Sequence, residues 1–520
     1  MINDILRSKA QQIKFGCANQ YGIDCKMFGA YCCLSEIKGS IPLLHGPVGC
    51  AFFPKLLPGD AIRQRVLGIK KQPPFPCTDL DEHDLIYGGA EKLRKALVDV
   101  DRHYHPDLIG IVLSCVAGVI GEDLKGIVEE VKDKVTAKIV ITPSAGFTDS
   151  ERSEDLQLYV QDTIDQWKKS DKKRFWGHEK CGRLETIFSL FEQLLEPPKK
   201  ILDKTVNIDL YGRIHFSDNF SFEINEIASL LNKIGIRVNG FFPGCSVKEF
   251  QNLPQAKLNV MRRSEKSAKL MKERFGTDYI FDPFGHKYTG IEGTKKFYYD
   301  IADYFGLRQK AIEVVGEKEK ELNELIKSIR FELRGKKIAI STSLIMIPTT
   351  PQFIRTLELF GLKVEAIFIQ IKRYPWGGVP QEMVKEVVEE LKKQLRDIQS
   401  DPEFYVDFDI GTQIEKAKEK EVNLFLPCMI SDMADCLIFE SHGIRALCHG
   451  WTGYAPYKIS FDQIRILGKA TLDKINEPIK KTNLFYLNHD RDKNRFPALK
   501  SDVPKIELHE ETMNTLWREQ

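Results

Sequence analysis

Three cysteines carry the strongest chemical signal in this chain, each in a glycine- or proline-bearing context: Cys25 in GIDCKMFGAYCC, Cys50 in LLHGPVGCAF and Cys115 in VLSCVAGVIGEDL. Thiolates are soft metal ligands, but the gaps of 25 and 65 residues are far longer than the near-neighbour pairs of a zinc knuckle. The fold must therefore bring three loops together. Three thiolates fill three metal corners of a cubane iron–sulfur cluster and leave the fourth to another side chain or another subunit. Glycines beside Cys50 and after Cys115 let the backbone approach a bulky inorganic core, and nearby N–H groups can offset its negative charge. The competing reading is that each cysteine is a small buried apolar residue.

The elements that must position these residues follow from alternating short apolar runs and amphipathic stretches, the pattern of parallel sheets flanked by helices. Leu108–Ser114 reads as a continuous apolar strand, so Cys115 falls at its carboxyl end, before a helix, where open α/β sheets place ligands. KIVITPSAGF reads as the next strand. A second unit begins after Pro197-Pro198-Lys199-Lys200, with strands at VNIDL, RVNGFFPG, KLNVMRR and TDYIFDP, and helices over Glu223–Gly235 and SEKSAKLMKERFG. The charged stretch Gly316–Gly335 is expected to be a solvated connecting helix. A third unit carries strands KKIAISTSLIMIP, LKVEAIFIQ, VNLFLPC and IRALCHG. The expected division is 1–200, 201–335 and 336–475, followed by a polar tail over 476–520.

Composition narrows the class further. With 42% hydrophobic and 29% charged residues over 520 positions, the chain is globular and long enough for several cores. Lys plus Arg number 76 against 74 Asp plus Glu, so no global charge draws it to nucleic acid or an anionic membrane. Twelve cysteines are too few for a disulfide scaffold, and seven of them lie from Cys17 to Cys115. The N-terminal MINDILRSKAQQIKFG has no signal-type apolar stretch, and no run of about 18 apolar residues occurs. A cytoplasmic protein with reduced thiols is expected.

LLHGPVGCAF, followed by PCTDLDEHDLIYGGAEKL and LSCVAGVIGEDLKGIVEEV, resembles the motif series of the nitrogenase component 1 superfamily, which includes dark-operative protochlorophyllide reductase subunits. The similarity extends through PGCSVKEFQNLPQAKLNV and KERFGTDYIFDPFGHKYTGIEGTKKFYYDIADYFG, and more weakly to about residue 475. The resemblance implies three Rossmann-like α/β domains. It implies that Cys25, Cys50 and Cys115 hold an iron–sulfur cluster, of 4Fe–4S or P-cluster type, shared with a homologous component 1 subunit in a dimer or heterotetramer. It also implies an oxidoreductase fed by a separate ATP-hydrolysing iron protein. No GxxxxGK[ST] phosphate loop occurs here, in keeping with ATP chemistry in a partner.

Several residues remain open. Cys77 is either an additional ligand or a packing residue, as are Cys17, Cys32 and Cys33. Adjacent Cys32 and Cys33 on a helix point about 100° apart and cannot both face one cluster. The acidic residues between Thr78 and Asp84 either meet the reductase or cap a helix. The family's cofactor cysteine is expected just after KLNVM, yet Leu258–Gly276 contains none and offers Arg262 and Arg263, which suit either an anionic substrate or an exposed helix start. Cys245 lies on another loop, as ligand or core residue. His449, seven residues before Pro456, falls where the family's histidine motif is expected and is the candidate catalytic residue, either as ligand or proton donor or in a structural hydrogen bond. TPSAGFTDSERSEDLQL, which resembles the family's glutamine- and histidine-bearing loop, contains no histidine. These departures argue against dinitrogen as substrate. They leave a reductase for another substrate, one with an altered second metallocluster, or a scaffold for cofactor assembly.

Overall fold

The computed structural model describes residues 25–55, 74–145, 179–210, 220–242, 244–282, 287–343, 349–370, 381–398, 400–427, 433–447 and 460–478. The architecture is α/β, with three parallel sheets flanked by helices. The first sheet, in the order β1-β2-β3, comprises β1 (Ser40–His45), β2 (Leu108–Leu113) and β3 (Lys138–Thr142). The second runs β5-β4-β6-β7, from β4 (Thr205–Asp209), β5 (Arg237–Phe242), β6 (Leu258–Met261) and β7 (Asp278–Phe281). The third, β10-β9-β8-β11-β12, contains β8 (Lys337–Ser343), β9 (Lys363–Gln370), β10 (Glu403–Val406), β11 (Leu424–Pro427) and β12 (Arg445–Ala446).

The unbroken apolar run of β2 follows from burial on both faces. Ile109 and Ile111 join Leu93, Leu97 and Ile127 of the helices Ala90–Tyr104 and Leu124–Val131. On the opposite face, Leu108 and Val112 belong to a cluster with Phe28, Leu34 and Phe191. That second cluster continues through Phe242, Phe250 and Met271, so the first two sheets share apolar packing. A third cluster joins Val206, Ile208 and Val260 to Ile338, Ile340 and Ile367, linking the second and third sheets in the same way.

The helix containing the charged stretch departs from expectation. Helix Arg308–Leu333 buries Val315, Leu322, Ile326, Ile329 and Leu333. Spaced by seven, four, three and four residues, they fall on one face and form an apolar stripe, while the charges occupy the other face. Among the described residues no helix is long and apolar enough to cross a membrane.

Candidate metal centre

Strand register assembles the site. His45, the last residue of β1, is aligned with Leu113, the last of β2, so the segments carrying Cys50 and Cys115 leave the same sheet edge. Cys50 lies in helix Val48–Lys55. Cys115 opens the short helix Cys115–Ile120, capped by the hydroxyl of Ser114, which accepts from the Ala117 N–H at 3.2 Å. Gly121 closes this helix, and helix Leu124–Val131 follows it. Gly46 makes the two segments compatible: a Cβ there would come within 2.5 Å of the Ser114 Cβ.

Cys25 reaches the site from a different direction. It caps helix Lys26–Ser35, and its sulfur accepts a hydrogen bond from the Phe28 N–H at 3.3 Å. Behind it, Lys26 forms a buried ion pair with Glu185 of helix Glu179–Leu194 at 2.7 Å. Gly182 lets that helix approach closely, because a Cβ there would lie 1.8 Å from the Lys26 carbonyl oxygen.

The thiols lie near enough for the charge of one to act on another. Burial pushes the Cys25 thiol up to about 11, opposed by the Phe28 N–H and reinforced by the charges of Cys50 and Cys115. Burial also raises Cys50, followed by the charges of Cys115 and Cys77. Cys25 and Cys50 are half-buried and Cys115 is exposed; none of the three is in a disulfide. Among the described residues no three Cys, His, Asp or Glu side chains are spaced to bind a single metal ion. Wider spacing is what a cubane needs, since each thiolate binds a different iron. The neighbouring thiols and the N–H directed at Cys25 fit an iron–sulfur cluster.

The site contains residues to which the sequence alone assigns no role. His45 is buried, with Nδ1 3.0 Å from Thr78 Oγ1 and Nε2 2.6 Å from Glu122. Thr78 Oγ1 also accepts from the Gly46 N–H, and Glu122 accepts from the Gly89 N–H. His45 and Glu122 both lie in the quoted motifs, but their pairing across 77 positions requires the strand register. In the acidic segment, Asp81 and Asp84 form a capping box for helix Glu82–Tyr87, and Lys92 binds both carboxylates. Capping therefore accounts for these two residues.

Cys32, Cys33 and Cys245 are core residues, each 3% exposed or less. Burial pushes the Cys245 thiol up to about 12, leaving it neutral within its apolar surroundings. Arg262 and Arg263 match neither reading offered for them, because they are buried in ion pairs. Arg262 Nε bonds Asp282 at 3.1 Å, while Arg263 binds Asp209 at 2.6 Å and approaches Glu36 at 3.5 Å. Asp209 ends β4, and the arginines follow β6. In a sheet ordered β5-β4-β6-β7, this is the point where strand order reverses and ligands commonly bind. Ion pairs fill it here. His449, Cys17 and the segment 146–178 lie outside the described residues.

The profile of nitrogenase component 1 type oxidoreductases matches residues 25–455. The chain is 28% identical over 331 residues to the nitrogenase iron-molybdenum cofactor biosynthesis protein NifE of Clostridium pasteurianum, covering 61% of this chain and 62% of that protein. It is 25% identical over 337 residues to the nitrogenase molybdenum-iron protein alpha chain of Methanosarcina barkeri, covering 64% and 56% respectively. The matches thus span about three-fifths of these relatives' lengths. Among solved structures, nitrogenase Cp1 at pH 5 superposes with a TM-score of 0.61 at 17% identity, covering 88% of each chain, a likeness of fold. The profile match over most of the sequence places this chain in the nitrogenase component 1 type oxidoreductase family.

Proposed function

We propose that this chain is a subunit of an ATP-driven two-component reductase acting on a substrate other than dinitrogen. Cys25, Cys50 and Cys115 are its cluster ligands, a separate iron protein is its electron donor, and a homologous component 1 subunit is its partner. The observation that carries this reading is that the segments bearing Cys50 and Cys115 leave one sheet edge, with the Cys25 thiol near enough to be influenced by their charge.

When bound, an iron–sulfur cluster supplies one-electron storage and transfer. The chain's own residues position it. The Phe28 N–H stabilises negative charge on the Cys25 sulfur, and His45 ties the segments following β1 and β2 through Thr78 and Glu122. Val48, Ile86, Tyr87 and Val119 are exposed on helices Val48–Lys55, Glu82–Tyr87 and Cys115–Ile120, the last of which begins at the exposed Cys115, and offer apolar surface to a homologous subunit. The missing cofactor cysteine after β6, and the arginine pairs in its neighbourhood, favour a substrate other than dinitrogen. His449 is the proposed proton donor.

Anaerobic purification with iron and sulfide analysis tests the reading. The expected product is a brown protein whose visible absorption bleaches on reduction by its iron protein and ATP. A colourless, iron-free protein would overturn it. The similarity to NifE favours a second reading, an assembly scaffold. A scaffold would release a bound metallocluster to an acceptor protein and show no ATP-dependent turnover.

A further inference from the structure

One edge of the second sheet borders a cavity. β5 is the outermost strand in the order β5-β4-β6-β7, so β4 pairs with it on one side only. An edge strand presents a row of unpaired backbone N–H and C=O groups, which folded proteins usually block. The first sheet blocks both of its edges. Gln193 accepts from the Ile141 N–H of β3 and donates to the Ile141 carbonyl, each at 3.0 Å, and Cys77 forms a parallel bridge with Leu44 on the free side of β1. At β5 the amide of Asn239 turns inward instead, donating to Asn207 Oδ1 at 2.9 Å and to the Asn252 carbonyl at 3.1 Å. Among the described residues, a cavity of about 640 Å³ lies along this strand. We propose that it is a docking slot for an extended acidic segment of a second polypeptide, which adds to β5 as a further strand.

The cavity has the shape of a missing strand. Residues 237–241 of β5 form its floor, helix Phe220–Ile234 forms one wall, and Lys38, Gly244, Cys245 and Glu249 form the other. The helix lines it from Ile224 to Asn232, a length of about 12 Å, which matches about four residues of extended chain. Asn225, Ser229 and Asn232 are exposed and recur on one face of that helix, so this wall offers hydrogen-bonding side chains alongside an added strand.

Charge selects the occupant. Arg237 stands at the amino end of β5. Lys38 stands beyond its carboxyl end, bridged to Ser246 and donating its backbone N–H to the Cys245 carbonyl at 2.9 Å. Both side chains are exposed, and neither is paired with a carboxylate among the described residues. The carboxylate of the wall, Glu249, is engaged by the N–H and the hydroxyl of Ser246 at 2.7 and 2.9 Å. The slot thus presents a cation at each end and polar groups between them, which suits a strand with carboxylates about four residues apart. Main-chain hydrogen bonds to β5 supply the affinity, and the end charges set the register.

The test uses the full chain and a fluorescein-labelled pentapeptide with glutamate at both ends and Thr-Val-Thr between them, a centre that favours the extended state. Fluorescence anisotropy at low salt should show saturable binding, and hydrogen exchange of the β5 amides should slow when the peptide is present. Lys38→Glu/Arg237→Glu, which changes two exposed side chains, should weaken binding by about tenfold or more. A peptide methylated on its central amide nitrogens keeps its charge but loses its donors, and should weaken to a similar degree. Equal binding of the methylated peptide, or of a lysine-ended one, would overturn strand addition. Unchanged affinity in the double variant, or no binding at all, would overturn it as well. Binding that emerges only after removal of residues 479–520 would assign the slot to the chain's own C-terminal segment and overturn the second polypeptide.

Discussion

His45 Nε2 lies 2.6 Å from the Glu122 carboxylate, joining the end of β1 to the segment that follows helix Cys115–Ile120. Both side chains are buried, and the other ring nitrogen engages Thr78, next to Cys77. One imidazole thus links the segments bearing Cys50, Cys77 and Cys115. Removing one member leaves the other polar groups buried without their partner, a cost of about 2–5 kcal/mol. Glu122→Ala is expected to fall in this range and to lower iron retention. Glu122→Gln, which can still accept from the Gly89 N–H, should cost about 1 kcal/mol. Urea unfolding measured alongside iron content checks both; equal losses for the two variants would contradict the linking role.

Local sequence is sufficient wherever chemistry and periodicity coincide. The apolar run of β2 and the Ser264 and Gly276 caps around helix Glu265–Phe275 follow from neighbouring residues alone. The same holds for the placement of Cys115 at a strand end. Long-range charge pairing is not legible. Arg262 and Arg263 look like the start of an exposed helix because their counter-charges, Asp282, Asp209 and Glu36, are remote in sequence. Short helical segments such as Cys115–Ile120 also escape, since six residues show too little periodicity. The stripe in helix Arg308–Leu333 is obscured by the density of surrounding charge, although its spacing is present.

Gly182 sets the position of Cys25 through helix contact. An added Cβ would lie 1.8 Å from the Lys26 carbonyl oxygen, a backbone atom that cannot rotate away. Gly182→Ala must therefore separate helices Lys26–Ser35 and Glu179–Leu194, at a cost of about 1–3 kcal/mol. The Lys26–Glu185 pair would be weakened as well. Gly316→Ala is the control, because nothing lies within 4 Å of the position its Cβ would take and alanine favours helix by about 1 kcal/mol. Thermal unfolding should fall for the first variant and hold or rise for the second, and iron retention should fall only for the first.

Arg263 distinguishes a structural ion pair from a substrate contact. Its guanidinium is 5% exposed and lies between Asp209 and Glu36, so Arg263→Ala leaves two buried carboxylates short of a counter-charge. The expected loss is about 3–5 kcal/mol in the urea unfolding free energy, with partial recovery in Arg263→Ala/Asp209→Ala. Arg263→Lys should also destabilise, since an ammonium cannot reproduce the forked contacts. A loss of substrate affinity at unchanged stability would instead assign Arg263 to the substrate.

Glu226 should give the fold a pH dependence remote from the cluster. Its carboxylate accepts from Ser460 Oγ at 3.0 Å, the Phe461 N–H at 2.8 Å and the Asp462 N–H at 2.8 Å, joining helix Phe220–Ile234 to the start of helix Phe461–Asn476. Burial outweighs these donors and pushes the carboxyl up to about 7, and the Asp462 charge adds to the rise. A carboxyl raised on folding binds its proton more tightly in the native state. Its stabilising contribution is full below the ordinary glutamate range and is lost as pH rises through about 7. The urea midpoint of the wild type should therefore fall between about pH 5.5 and pH 8. Glu226→Gln is uncharged throughout and keeps an amide oxygen for the helix start, so its midpoint should change less over that interval and exceed the wild-type value at the alkaline end. A wild-type midpoint that rises with pH, or equal slopes for the two proteins, would show that the donors of helix Phe461–Asn476 hold Glu226 ionised.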